Sequence, residues 1–115
     1  MRVAGFGFRH NAPLASLQAA LALTGGADAL ATSEDKAPGL TDLARSTGLP
    51  VIAVSKTDIA RHPRPGSARV KALYGTGSLA ESSALAAAGP GATLIEPRQT
   101  TQDGQVAIAI AKAKS

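Results

Sequence analysis

The stretch from Tyr74 to Gly89, Y-G-T-G-S-L-A-E-S-S-A-L-A-A-A-G, constrains the fold more than any other part of the chain. A glycine-rich turn feeds a run, Leu79 to Ala88, whose only polar residues are Glu81, Ser82 and Ser83. A helix of this composition has no wide solvent face, so it must be buried on most sides. Its small side chains permit close approach to a sheet. In the turn, Gly75 and Gly77 open backbone conformations closed to other residues and allow a ligand near the main chain. Thr76 or Ser78 caps the helix. The first helical amides lack partners inside the helix and, with the helix dipole, form an anion site suited to phosphate or carboxylate. Ser78-x-x-Glu81 also matches a capping box, in which Glu81 folds back onto the Ser78 amide. That reading is favoured over a catalytic glutamate.

Composition narrows what surrounds this helix. At 115 residues the chain fits one domain, residues 1–115, long enough to bury about two-thirds of its unfolded surface. With 44% hydrophobic residues but two Phe, one Tyr and no Trp, the core has to be built from Ala, Leu, Val and Ile. The absence of cysteine excludes disulfides, thiolate metal sites and a cysteine nucleophile. No apolar run is long enough to span a membrane, and the N-terminus reads as a strand entering a turn rather than a signal peptide. A cytoplasmic protein with no membrane association is expected. Twelve basic against eight acidic residues give a net charge of +4 and favour an anionic partner. Nucleic acid is not expected, because the chain lacks the aromatic platforms that single-strand binders use.

Arg2 to Phe6 is a short apolar run of the kind seen in buried parallel strands, leading into the turn Gly5-Phe6-Gly7-Phe8-Arg9-His10. The turn differs from the dinucleotide fingerprint G-x-G-x-x-G in having His10 at the third glycine, and nicotinamide cofactors are not expected to bind. Asn11 as cap and Pro13 in the first turn open a helix carrying Leu14, Leu17 and Leu21, which stops at Gly25-Gly26. A second strand, near residues 28 to 32, delivers Thr32, Ser33 and Lys36 to its carboxyl end, where open α/β sheets bind ligands. Lys36 reads there either as an anion anchor, with Thr32 and Ser33 as hydroxyl donors, or as a surface lysine on a solvated loop. Pro38 opens a short helix closed by Gly48, and Val51 to Val54 is the clearest strand.

Residues 56–74 read as a helical turn around Asp58 to Arg61 followed by a basic crossover loop. Arg61, Arg64, Arg69 and Lys71 in that loop face an anion in the glycine-rich turn or form a solvated surface. His10 and His62 stand alone, without companions at ligand spacing, so no metal site is expected. After the small-residue helix come a strand over 92–95, a polar connection from Pro97 to Gln105, and a last strand over 106–111. The connection is too short for a crossover helix, which makes the last two strands antiparallel. Lys112 to Ser115 reads as a frayed end.

These landmarks, in their order, resemble the CobE/CbiG C-terminal domain family of cobalamin biosynthesis proteins over nearly the whole chain. The matching residues are Gly5-x-Gly7-Phe8-Arg9, Ala31-Thr32 with Lys36, Thr76-Gly77-Ser78-Leu79-Ala80-Glu81 with Ala84-Leu85-Ala86, and Val106-Ala107-Ile108-Ala109. The resemblance implies an α/β, three-layer α/β/α sandwich with a mostly parallel, mixed sheet of about five strands. It also implies a protein that carries or acts on a precorrin or corrinoid intermediate. In the two-part members of the family, the implied activity is hydrolytic opening of a δ-lactone on cobalt-precorrin-5A with loss of acetaldehyde. Unlike them, this chain is expected to have no preceding domain.

Two functions from different classes follow: a binding or carrier protein for a multi-carboxylate corrin ring, and a small hydrolase on the same substrate class. A generic phosphate or nucleotide binder is the third. The candidate ligand-binding residues are Gly5, Gly7, Phe8, Arg9, Thr32, Ser33, Lys36, Gly75, Thr76, Gly77, Ser78 and Glu81, expected together at one sheet edge. Glu81 and Lys36 are the candidates for activating water. No cofactor is called for. Other cobalamin-pathway enzymes are candidate partners, and an oligomer is compatible with the sequence.

Overall fold

The computed structural model describes residues 1–114. Five strands form one mixed sheet: β1 (Arg2–Phe8), β2 (Ala29–Ser33), β3 (Val51–Val54), β4 (Thr93–Thr100) and β5 (Val106–Lys112), in the order β3-β2-β1-β5-β4. The β1–β2 and β2–β3 pairs are parallel, whereas β5 runs antiparallel to both β1 and β4. The helices are α1 (Leu14–Ala22), α2 (Thr41–Thr47, preceded by a 3-10 turn over Ala37–Leu40), α3 (Lys56–Ala60), α4 (Ala68–Tyr74) and α5 (Leu79–Ala88). Helices cover both faces of the sheet, completing the three layers. Among the described residues, no helix is long and apolar enough to cross a membrane.

Side-chain size is partitioned between the two faces by the two-residue period of a strand. In β5, Val106, Ile108 and Ile110 join Ala4, Phe6 and Leu30 in a layer completed by Leu17 of α1 and Leu43 of α2. The alternate residues, Ala107, Ala109 and Ala111, pair in register with Gly7, Gly5 and Val3 of β1. This smooth strip lies under α5, which touches all five strands. A β-carbon built on Gly5 would lie 2.6 Å from the Ala84 amide nitrogen, so helix and strand backbones nearly touch. The expected burial of α5 holds, with Leu79 through Ala84 all buried.

Several boundaries differ from the sequence expectations. β1 continues through Gly5 and Gly7 to Phe8, so the turn begins only at Arg9. Asn11 does not cap α1; it takes a left-handed conformation, φ 68°, in the preceding turn, and Pro13 occupies the cap position. β4 runs past Pro97 to Thr100, which is tolerated because β4 is an edge strand and its register slips twice around this proline. Residues 68–74 are a helix rather than loop. Ser67 caps it by accepting from the Val70 amide, and Gly75 ends it at φ 75°. At the C-terminus β5 extends to Lys112, and the Ala113 amide donates to the Met1 carbonyl, so the expected fray does not begin at Lys112. Ser115 lies outside the described residues.

Candidate functional site

A cleft of about 590 Å³ opens where β1 ends, β5 begins and α5 starts, with α4 and the far end of β4 as walls. Each parallel strand delivers its following loop to this end of the sheet, which brings Arg9 after β1 and Lys36 after β2 to the same place. Arg69 arrives on α4 and Arg98 on β4. The lining therefore carries four permanent or near-permanent cations, together with His10, and no carboxylate. Apolar surface comes from Phe8, Val70, Leu73, Leu79 and Val106. Leu79 and Ala80 supply the first amides of α5, which the helix itself leaves unpaired.

Six of the twelve candidate ligand residues line this cleft: Gly7, Phe8, Arg9, Lys36, Gly77 and Ser78. Lys36 is held in place, donating from Nζ to the Phe8 carbonyl at 2.7 Å with its ammonium 5.2 Å from the centre of the Phe8 ring. The other six have structural surroundings. Gly5 is buried beneath α5, and Thr32 Oγ1 donates to the Phe6 carbonyl inside the sheet. Ser33 is fully buried. Gly75, Thr76 and Gly77 line a separate hollow with Pro63, Arg64 and Lys71.

What approaches the Gly75–Ser78 main chain is the crossover loop of the same protein. The Gly77 amide donates to the Arg64 carbonyl, the Ser67 amide donates to the Gly77 carbonyl, and the Arg64 amide donates to Thr76 Oγ1. Thr76 Oγ1 also bonds Ser82 Oγ, which donates to the His62 carbonyl. Gly77 is required by this crossing, because a β-carbon there would meet the Arg64 carbonyl oxygen at 2.7 Å, whereas Gly75 is required by its left-handed place at the end of α4. The open main chain expected for an anion is thus largely occupied by the crossover loop, while Ser78, Leu79 and Ala80 at the start of α5 line the cleft.

Ser78 caps α5 as expected, accepting from the Glu81 amide at 3.2 Å. Glu81 does not fold back on it. Its Oε1 accepts from Arg64 Nε and its Oε2 from the Arg98 amide, both at 2.9 Å, so the carboxylate clasps the crossover loop to β4. Burial alone would raise its pKa, but the Arg98 amide and the Arg64 guanidinium outweigh burial and hold it below the ordinary 4.5. Glu81 is ionised, with both oxygens occupied, and lies outside the cleft lining. Of the two candidates for activating water, Glu81 thus clasps two other segments away from the cleft, and Lys36 lines the cleft with its ammonium on the Phe8 carbonyl.

Among the cleft contributors without a direct sequence assignment are His10, Leu73, Tyr74 and Arg98. For α4 a signal existed, in Ser67 and Gly75 as caps around Val70, Leu73 and Tyr74 at spacings of three and four. Arg98 had none, since Pro97 marks the place where a strand is expected to stop. Tyr74 donates its hydroxyl to Asp35 at 2.8 Å, with Lys56 Nζ 5.5 Å from its ring centre. Burial raises the Tyr74 pKa and the Asp35 carboxylate adds to that. For Asp35, burial works upward but is outweighed by the neighbouring Ser33 hydroxyl and the Tyr74 bond, leaving its pKa lowered. The Ser33 hydroxyl itself meets no partner at hydrogen-bond geometry and acts as a nearby dipole.

Fold and site together define a three-layer α/β protein with a basic cleft at one end of a mixed sheet. Within that class the chain belongs to the family described as Cobalamin synthesis G C-terminus, whose model matches residues 2–111. It is a member of a cobalamin biosynthesis protein family. The chain is similar to cobalamin biosynthesis protein chiG from Agrobacterium tumefaciens, with 30% identity, full coverage of both chains and a TM-score of 0.77. It is also similar to CobE, a protein from the cobalamin (vitamin B12) biosynthetic pathway, with 28% identity over 99% of this chain and 91% of that one, at a TM-score of 0.80. No curated protein matches the sequence.

Proposed function

We propose that this chain binds a multi-carboxylate corrin-ring intermediate in the basic cleft, as a binding or carrier protein of cobalamin biosynthesis. The observation that carries this reading is the lining of Arg9, Lys36, Arg69 and Arg98, unopposed by any carboxylate and interleaved with apolar surface. Corrin intermediates are apolar rings fringed with carboxylates, so both kinds of surface find a counterpart. The cleft volume is in the range of small-molecule sites, about 300 to 1,000 Å³. The amides of Leu79 and Ala80 add the positive end of α5 to the same field. Hydrolytic lactone opening would call on a base beside the bound ring, and Glu81 lies off the cleft lining, which favours binding over hydrolysis.

Titration calorimetry with a purified precorrin or corrinoid polycarboxylate tests the proposal. Affinity should fall as salt rises, since exposed charges are screened over about 8 to 10 Å at ordinary ionic strength. Arg69→Gln and Arg98→Gln should each weaken binding roughly two- to fivefold, the scale of a solvent-exposed ion pair. Affinity that ignores both salt and the double substitution would count against the cleft, as would tight binding of NAD.

A further inference from the structure

We infer that α4 is the element that reads the apolar face of the ligand, with Leu73 as its specificity-determining residue; this rests on the binding function proposed above. Helix α4 is amphipathic in an unusual sense. Arg69, Val70, Leu73 and Tyr74 recur at spacings of three and four, and all four line the cleft. Ala68 before them and Lys71 and Ala72 between them are exposed and do not line it. A seven-residue helix owes its stability to burying an apolar stripe, yet α4 buries only its last residue, Tyr74. Leu73 is left 57% exposed at the cleft.

Tyr74 sits in a buried cluster with Ile59 and Leu79, and Val70 packs against it, so Leu73 is the apolar residue of α4 left open toward the cleft, to be covered by whatever fills it. The occupant that fits is a flat, carboxylate-fringed macrocycle. Its face gives Leu73 and Val70 an apolar surface, and its rim gives Arg69 on the same helix face an anion. Phe8, Leu79 and Val106 provide further apolar lining. A small polycarboxylate without a ring satisfies the cations but leaves Leu73 in water. On this reading the cations set affinity for any polyanion, and α4 sets the preference for a ring.

The test compares uroporphyrin, a flat macrocycle fringed by carboxylates, with citrate, which has no ring, on the whole protein. Leu73→Ala should weaken uroporphyrin binding roughly 5- to 30-fold, the loss expected for a few methylene groups no longer covered. Citrate binding and the melting temperature should hold, because Leu73 buries little in the free protein. Leu73→Met, similar in volume, should restore the macrocycle affinity. Equal uroporphyrin binding by Leu73→Ala and the parent, with Arg69→Gln still weakening both probes, would overturn the role of α4 while leaving the basic cleft intact. Indifference of both probes to the arginine substitutions would remove the binding function and this inference with it. A Leu73-dependent dimer in sedimentation, unchanged by uroporphyrin, would show that a second copy covers the stripe and would equally overturn it.

Discussion

Replacing Gly5 by alanine is expected to destabilise the protein by about 3 kcal/mol or more, at the upper end of what overpacking a tight core costs. The added methyl would lie 2.6 Å from the Ala84 nitrogen and 2.8 Å from the Ala84 β-carbon, with the Ala80 carbonyl oxygen nearer still. Backbone atoms cannot rotate aside as a flexible side chain does, so α5 must lift from the sheet. That movement loosens contacts with all five strands at once, because α5 touches each of them. It also disturbs the Ser78 cap and the Glu81 clasp at the helix start. For a domain of this size the thermal midpoint should drop by roughly 10 to 15 °C, read by differential scanning calorimetry. Gly7→Ala is the internal control: the corresponding β-carbon would meet only the Leu79 β-carbon at 3.5 Å and the Ala80 nitrogen at 3.6 Å, ordinary contact distances. A Gly5→Ala protein melting within a few degrees of the parent would show that the helix is not seated as tightly as this geometry requires.

How legible this arrangement was in the sequence depended on the range of the interaction that fixed each part. The strands announced themselves through short apolar runs, and the last of them through an alternation of large and small residues that assigns each side chain to a face. The burial of α5 followed from its lack of polar residues. Its cap followed from Ser78, because a cap is a contact over three residues. The role of Glu81 did not follow, since its partners Arg64 and Arg98 each lie seventeen residues away, one on either side in sequence. The local alternative, a capping box, is what the nearest neighbours suggest. The glycines show the same limit. Gly5 and Gly77 mark close backbone approach, as their residue type implies, but the approaching chain is α5 in one case and the crossover loop in the other. Helix α4 was obscured by the prolines and charges just before it, although Ser67 and Gly75 bracket it with ordinary capping chemistry.

Glu81→Gln is expected to lower stability by about 2 kcal/mol, and the melting temperature by roughly 5 to 10 °C, with ligand binding retained at temperatures where the variant stays folded. The carboxylate accepts one hydrogen bond at each oxygen, from Arg64 Nε and from the Arg98 amide. An amide offers only one acceptor, so whichever way glutamine is turned its NH2 group confronts a donor in a place nearly closed to water. The side chain of Glu81 is 9% exposed, against 38% for Arg64, and the penalty therefore falls on the glutamate side. Acid titration separates this clasp from a general loss of packing. Because the folded pKa of Glu81 lies below its ordinary 4.5, the ionised form contributes stability that is fully present above that value and is lost as pH falls through the lowered one. Glutamine has no such titration. The stability gap between parent and variant should therefore narrow as pH drops below about 4.5, while the titrations of Asp35 and Asp103, also lowered, remain in both proteins and cancel from the difference. A variant with an unchanged melting temperature and lost turnover on a corrin lactone would reverse the assignment, because a clasp must register in stability whereas a general base registers in rate.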